Sequence, residues 1–205
     1  MGYFITLEGP EGSGKSTQAL MLADWLTQKG LSVKLTREPG GDPVSEEIRK
    51  ILLDGADHSV ADRTELLLYL AARAQHTERV IRPALSAGTN VICARYTDST
   101  VAYQGYGNGI DLSLIHQLNS FATGGLAPDL TIVLDIDIET GLRRQSQWNR
   151  MERKAIEYHQ RVRQGFLQGA RDHPERIVVI EASEGIDAVH MRIVEQVASR
   201  LAIGV

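Results

Sequence analysis

The sequence predicts an α/β protein: a doubly wound, five-stranded parallel sheet flanked by helices, with a glycine-rich loop after its first strand. Three observations carry the prediction. Short, nearly continuous apolar runs alternate with segments of helical periodicity along the chain. The first run is followed at once by Gly9-Pro10-Glu11-Gly12-Ser13-Gly14-Lys15-Ser16, a match to G-x-x-x-x-G-K-[ST]. No internal repeat, linker or low-complexity tract interrupts the alternation, so residues 1–205 read as one domain.

Residues 3–7 read as the first buried strand. Beyond the glycine loop, Ala19, Leu22, Trp25 and Leu26 recur at helical spacing, and Gly30 closes that helix. Residues 32–36 form the second strand. Pro43, suited to a first helical turn, opens a helix over 43–53. A longer helix covers 62–81 and is interrupted by Pro83. The third strand is 89–94, followed by helices over 99–106 and 111–123. Pro128 precedes the fourth strand, 130–135. A helix near 138–146, a basic stretch and a long helix over 152–171 come next. The fifth strand is 177–181, and 188–201 the closing helix. Ligands of such sheets sit beyond the carboxyl ends of the strands. The loops after Leu7, Thr36, Ala94 and Asp135 are therefore the ones to read for chemistry.

With 42% apolar residues, the chain can bury one sizeable core. Its net charge of −4 provides no basic field for a nucleic-acid partner. Cys93 is the one cysteine, which excludes an intrachain disulfide, and its apolar run marks it as a small buried hydrophobe. The histidines (58, 76, 116, 159, 173 and 190) lack metal-ligand spacing. No apolar run is long enough to span a membrane, and the N-terminus lacks the regions of a signal peptide. A cytoplasmic protein without a membrane partner is expected.

The glycine loop carries the clearest chemistry. Its backbone can curl so that successive N–H groups face phosphate oxygens at a helix N-terminus. Lys15 then reaches the β- and γ-phosphates, and the Ser16 hydroxyl can hold Mg²⁺. Gly9, Pro10, Glu11, Gly12, Ser13, Gly14, Lys15, Ser16 and Thr17 are thus expected to bind a nucleoside triphosphate. A second polar group follows the other strands. Arg37-Glu38-Pro39-Gly40-Gly41 comes after strand two, with Arg49 beyond it, and Arg95 follows strand three. Thr100, Tyr103 and Gln104 share one helical face, as do Tyr69 and Arg73. An aromatic ring above a guanidinium can stack on and hydrogen-bond a planar base. Taken singly, the plain readings are Tyr69 in the core, Arg73 solvated and Gln104 exposed.

These segments make the chain resemble the bacterial thymidylate kinases over nearly its whole length. The resemblance rests on Leu7-Glu8-Gly9-Pro10-Glu11-Gly12, Thr36-Arg37-Glu38-Pro39-Gly40-Gly41 and Ala71-Ala72-Arg73-Ala74-Gln75-His76. It rests equally on Tyr96-Thr97-Asp98-Ser99-Thr100, Ala102-Tyr103-Gln104-Gly105 and Pro128-Asp129-Leu130-Thr131. It implies a P-loop, nucleoside monophosphate kinase-like fold and transfer of the ATP γ-phosphoryl group to dTMP, giving dTDP, with Mg²⁺, in a homodimer joined by helices beside the substrate site. By the same resemblance Tyr69 stacks on thymine, Arg73 and Gln104 bind its edge with Thr100 nearby, and Tyr103 underlies the deoxyribose. Arg37, Arg49 and Arg95 neutralise the dTMP phosphate, and Glu38 lines that pocket. Pro10, Glu11, Gly12 and Ser13 supply no cation beyond Lys15. Family members of that kind use an arginine from a lid, here about 143–155 with Arg143, Arg144, Arg150 and Arg153. Arg150 is the aligned residue, so Lys15, Arg95 and Arg150 are the expected catalytic group.

Two positions depart from the family pattern. Ala94 stands where an aspartate normally acts on Mg²⁺ through water, and Ala155 where a lid glutamate is usual, with Glu152 nearby. Asp135 and Asp137 read as structural rather than as substitutes. Three readings remain at this level: a dTMP kinase with reduced activity, a weakened nucleotide-binding protein, and a kinase for another nucleotide.

Overall fold

The computed structural model describes residues 1–53, 60–144 and 154–201. Among them, β1 (Phe4–Glu8), β2 (Val33–Arg37), β3 (Asn90–Ala94), β4 (Leu130–Asp135) and β5 (Ile177–Glu181) form one parallel sheet. The strand order is β2-β3-β1-β4-β5, which puts β1 and its phosphate loop in the middle. Its carboxyl end is in register with both neighbours, Leu7 opposite Ala94 and Glu8 opposite Val133.

Alternation along the central strands builds two cores, because successive side chains point to opposite faces of a sheet. Ile5, Leu7, Ile92, Ala94, Ile132 and Leu134 face helices α1 (Lys15–Gln28) and α9 (Ile186–Leu201). Their partners there are Leu22, Leu26, Val189 and Ile193. On the other face Phe4, Val91 and Cys93 meet Ile81, Leu85 and Tyr96. Val133 packs on α8 (Ile156–Asp172) through Tyr158, Val162 and Phe166. Glu8 continues the β1 alternation on this second face, opposite α1.

The helices follow their local signals. Asp42 caps α2 (Pro43–Leu53), accepting from Val44 N and Ser45 N at 3.0 and 3.3 Å. Asp111 caps α6 (Leu112–Thr123), which ends at Gly124 in the left-handed conformation. α3 (Asp62–His76) packs on α6 through Leu66, Leu70, Ile115 and Ala122.

Pro83 does not end the helical path as expected. A wide π turn, Thr77–Ile81, precedes it, and the chain continues helically through α4 (Arg82–Ser86) with Pro83 in the first turn. Longer-range pairing accommodates a residue that has no N–H and crowds the carbonyl four positions back. A second π turn, Val101–Gly107, follows the short α5 (Thr97–Thr100) where one continuous helix was expected. After α7 (Ile138–Arg143), the basic stretch lies largely outside the described residues.

Candidate active site

β1 delivers the chain into the glycine loop at the mid-sheet carboxyl edge. Gly12 has φ 70°, and a Cβ there would lie 1.9 Å from the carbonyl oxygen of Gly141. Only glycine fits this turn and this close approach to α7. The Lys15 ammonium is folded back into the loop, donating to the Pro10 carbonyl at 2.7 Å and to Ser13 Oγ at 3.1 Å. Ser16 and Thr17 stay exposed at the mouth of a cavity of about 830 Å³. That cavity runs without a break from residues 11–18 into two lobes.

One lobe is bounded by β3, α3 and the 101–107 turn. Arg95 is the one non-glycine residue with positive φ among the described residues, at 73°. This uncommon backbone state is held by Arg95 N on Leu7 O at 3.0 Å and by Tyr96 N on Glu8 Oε1 at 2.6 Å. The guanidinium then reaches the loop. Its Nη2 donates to both oxygens of Glu11 at 2.8 Å, and Nη1 donates to the Tyr103 hydroxyl at 3.0 Å. Tyr103 in turn donates to Glu11 Oε1 at 2.9 Å. Burial opposes ionisation of Glu11, but Arg95 and then Lys15 outweigh it and hold the carboxyl below its usual range. Burial likewise opposes the charge on Arg95, and Glu11 restores it with a net upward shift. Both groups are therefore charged. Beneath them Glu8 accepts from Ser99 Oγ at 2.6 Å; burial, then repulsion from Asp98, pushes its pKa up to about 7.

Arg73 corrects its plain reading as a solvated charge. It is 2% exposed and donates to Glu38 Oε2, Thr100 Oγ1, Asn119 Oδ1 and the Tyr96 carbonyl at 2.7–2.8 Å. Its guanidinium lies 5.4 Å from the centre of the Tyr96 ring. Glu38, also buried, takes a second bond from His76 Nδ1 at 3.0 Å. Gln104 is buried rather than exposed, and donates to Glu65. Tyr69, Arg73, Thr100, Tyr103 and Gln104 all line this lobe, as do Glu38, Arg49 and Arg95.

Arg49 is half-buried and donates to the Pro39 carbonyl at 2.8 Å. Burial, then the like charge of Arg37, holds its guanidinium below the ordinary value, a state that an arriving anion relieves. Arg37 itself stands outside the cavity lining. It ends the edge strand β2 about half exposed and turns onto Glu46, with Nη2 3.0 and 3.1 Å from the carboxylate oxygens.

The other lobe lies toward α9. Arg144 donates to the carbonyls of Ala182 and Ser183 at 3.1 and 3.4 Å, and Gln18 Nε2 holds the Ile186 carbonyl at 2.8 Å. Arg150, the expected lid residue, lies outside the described residues, as do Glu152 and Arg153. Asp135 is engaged by Arg163 at 2.6 and 2.8 Å, and Asp137 caps α7. Sequence reasoning missed Glu65, His76 and Asn119, and it treated Glu11 as part of the loop alone. Glu65 had a visible signal: it precedes Tyr69 by four residues and Arg73 by eight, on one helical face.

A phosphate loop at the centre of a five-stranded parallel sheet, opening on a second lobe lined by Arg49, Arg73 and Arg95, defines a P-loop nucleoside monophosphate kinase fold. The comparisons narrow the class. The family model described as "Thymidylate kinase" matches residues 7–193. A thymidylate kinase of Geotalea uraniireducens is 46% identical, with both chains fully covered. One of Trichormus variabilis is also 46% identical, over 98% of this chain and 97% of its own. The crystal structure of the Ehrlichia chaffeensis thymidylate kinase superposes with a TM-score of 0.79 at 37% identity. That alignment covers 96% of this chain and 98% of the other. The chain belongs to the thymidylate kinase family.

Proposed function

We propose that this chain transfers the γ-phosphoryl group of ATP to dTMP, giving dTDP and ADP. The carrying observation is one uninterrupted cleft that joins a glycine loop to a lobe lined by Arg49, Arg73 and Arg95, within a chain of this family.

ATP phosphates occupy the loop of residues 9–17, drawing Lys15 from its contacts with Pro10 and Ser13. dTMP fills the other lobe. Tyr69 stacks on the base, Arg73 and Gln104 bind its edge beside Thr100, and Tyr103 lies under the sugar. Arg95 and Arg49 take the phosphate. To do so Arg95 gives up part of its pairing with Glu11, which keeps the Tyr103 hydroxyl as a donor at 2.9 Å. Arg37 contributes as a charge behind Arg49, and Glu38 keeps Arg73 in place. A phosphomonoester is largely dianionic near neutral pH, its second pKa being about 6. The acceptor oxygen therefore needs no general base; bringing two anions together needs cations, which Lys15, Arg95 and a lid arginine such as Arg150 supply.

Mg²⁺ fits as an ion carried largely by the nucleotide. Ser16 offers an exposed hydroxyl at the loop, whereas Glu11 is committed to Arg95 and position 94 is a methyl group. Mg²⁺ bound through substrate phosphates and water, with a single protein oxygen, is an ordinary arrangement. When bound it offsets charge on the transferring phosphates. Ala94 sits on the α1 side of the sheet, packed in the cluster that holds Ala19 and Leu22. An aspartate there would face the helix that begins with Lys15 and Ser16, so its loss lowers the rate more than the affinities.

The test is coupled ADP release with dTMP, dUMP, UMP and dGMP as acceptors, for the wild-type chain and for Ala94→Asp. dTMP is expected to be the best acceptor. Turnover with dTMP no faster than ATP hydrolysis alone refutes the assignment. Ala94→Asp is expected to raise kcat by as much as about 10²–10³-fold with modest change in nucleotide dissociation constants. An unchanged or lower kcat overturns the reading of that position.

A homodimer is the accompanying proposal. The adjoining helices α3 and α6 leave Leu67, Leu114 and Phe121 exposed, Phe121 at 88%. Sedimentation of the wild type and of Phe121→Glu measures it: the wild type is expected as a dimer and the variant as a monomer.

A further inference from the structure

Behind the base-binding edge of the cleft, a row of polar side chains decides which end of one carboxamide meets the ligand. Gln104 Nε2 donates to Glu65 Oε1 at 2.9 Å, and Asn108 Nδ2 donates to the same oxygen at 3.1 Å. Lys154 Nζ donates to Asn108 Oδ1 at 2.9 Å. Glu65 is fully buried and does not line the cleft, whereas Gln104 does.

The row has one direction. An ammonium only donates, so Lys154 holds the carbonyl end of Asn108 and turns its amine end toward Glu65. A carboxylate only accepts, so Glu65 holds the amine end of Gln104. Gln104 Oε1 bonds to none of the described residues. It is left as an acceptor at the cleft wall. The Arg73 guanidinium, which lines the same lobe, carries donors only. A ligand edge that offers both a donor and an acceptor satisfies this pair of groups. Thymine and uracil have it, as N3–H and O4. Cytosine reverses it, with a bare N3 lone pair and an N4 amine.

We infer that Glu65 is a positioning residue for base selection: by holding the Gln104 amine it makes the carboxamide present an acceptor, which admits pyrimidine-diones and repels cytosine. The inference rests on reading this lobe as the dTMP pocket.

kcat/KM for dTMP and for dCMP, with saturating ATP, is measured on the full chain and on three variants. Glu65→Met keeps most of the volume and removes the acceptor. It is expected to lower the dTMP-to-dCMP ratio about 10- to 100-fold, mostly through KM for dTMP, with KM for ATP unchanged. Glu65→Gln can still turn an oxygen toward Gln104 and is expected to keep the ratio within about threefold. An unchanged ratio in Glu65→Met, or an equal loss in Glu65→Gln, overturns the inference. Gln104→Leu separates it from the reading beneath it. If Gln104→Leu leaves the ratio intact, the pocket assignment fails. If it collapses the ratio while Glu65→Met does not, only the role of Glu65 falls. Should Glu65→Met fail to fold, ¹⁵N NMR of the wild type decides. One slowly exchanging Gln104 side-chain N–H, assigned through Gln104→Leu, supports the inference; two rapidly exchanging ones refute it.

Discussion

Replacing Arg73 with methionine keeps most of the side chain's apolar volume and deletes a guanidinium that makes four buried hydrogen bonds. The cost follows from what is left behind. Among the described residues Glu38 retains His76 alone, at 3.0 Å, and Asn119 Oδ1 loses its donor, while the Tyr96 carbonyl keeps Ser99 N at 3.1 Å. Removing one partner of a buried ion pair costs about 3–5 kcal/mol. In a chain of 205 residues each kcal/mol lowers Tm by about 2–4 °C, so the expected fall is about 6–20 °C. Calorimetric unfolding measures it directly. Steady-state kinetics supplies an independent readout: a lost charged hydrogen bond to the base lowers kcat/KM for dTMP about 10- to 150-fold and leaves KM for ATP alone. A Tm within about 2 °C of wild type refutes the energetic account. An unchanged kcat/KM for dTMP refutes the role of Arg73 at the base edge, whatever happens to stability.

Two further outcomes follow from the loop and the residue beneath it. Gly12→Ala puts a Cβ 1.9 Å from the Gly141 carbonyl oxygen at φ 70°, adding strain of at least about 1–3 kcal/mol. The ATP dissociation constant by titration calorimetry is expected to rise, with dTMP affinity much less affected; equal ATP affinity would show that the loop tolerates the clash. Glu8 has a folded-state pKa of about 7, above the ordinary carboxyl value of 4.5. The folded state thus binds this proton more tightly than the unfolded chain. The stability it contributes is complete below about pH 4.5 and is lost as pH rises through 7. The stability of wild type minus that of Glu8→Gln should therefore fall across that window and level off above it. A flat difference in denaturant unfolding from pH 5 to 8 sinks this reading.

Local signals account for what was legible in the residues alone. α2, β4 and β5 have the bounds expected for them, because Pro43, apolar runs and flanking polar residues act within a few positions. The glycine loop was legible for the same reason: its conformation and chemistry lie within eight consecutive residues. The two π turns were not, since helical periodicity gives no sign of one extra residue per turn. Nor could spacing distinguish a solvated Arg73 from a buried one; helix α3 offers both faces, and only the approach of Glu38 and Asn119 selects the inner face.

The chain by itself determined its fold class and its phosphate-loop motif, because these depend on residue type and short-range order. The tertiary structure alone decided the pairing of Glu11 with Arg95, 84 positions apart, and of Glu65 with Gln104, 39 apart. It likewise placed Arg37 on Glu46. A buried charge takes whichever partner the packed sheet and helices bring within about 3 Å, and that choice is written in no single stretch of sequence.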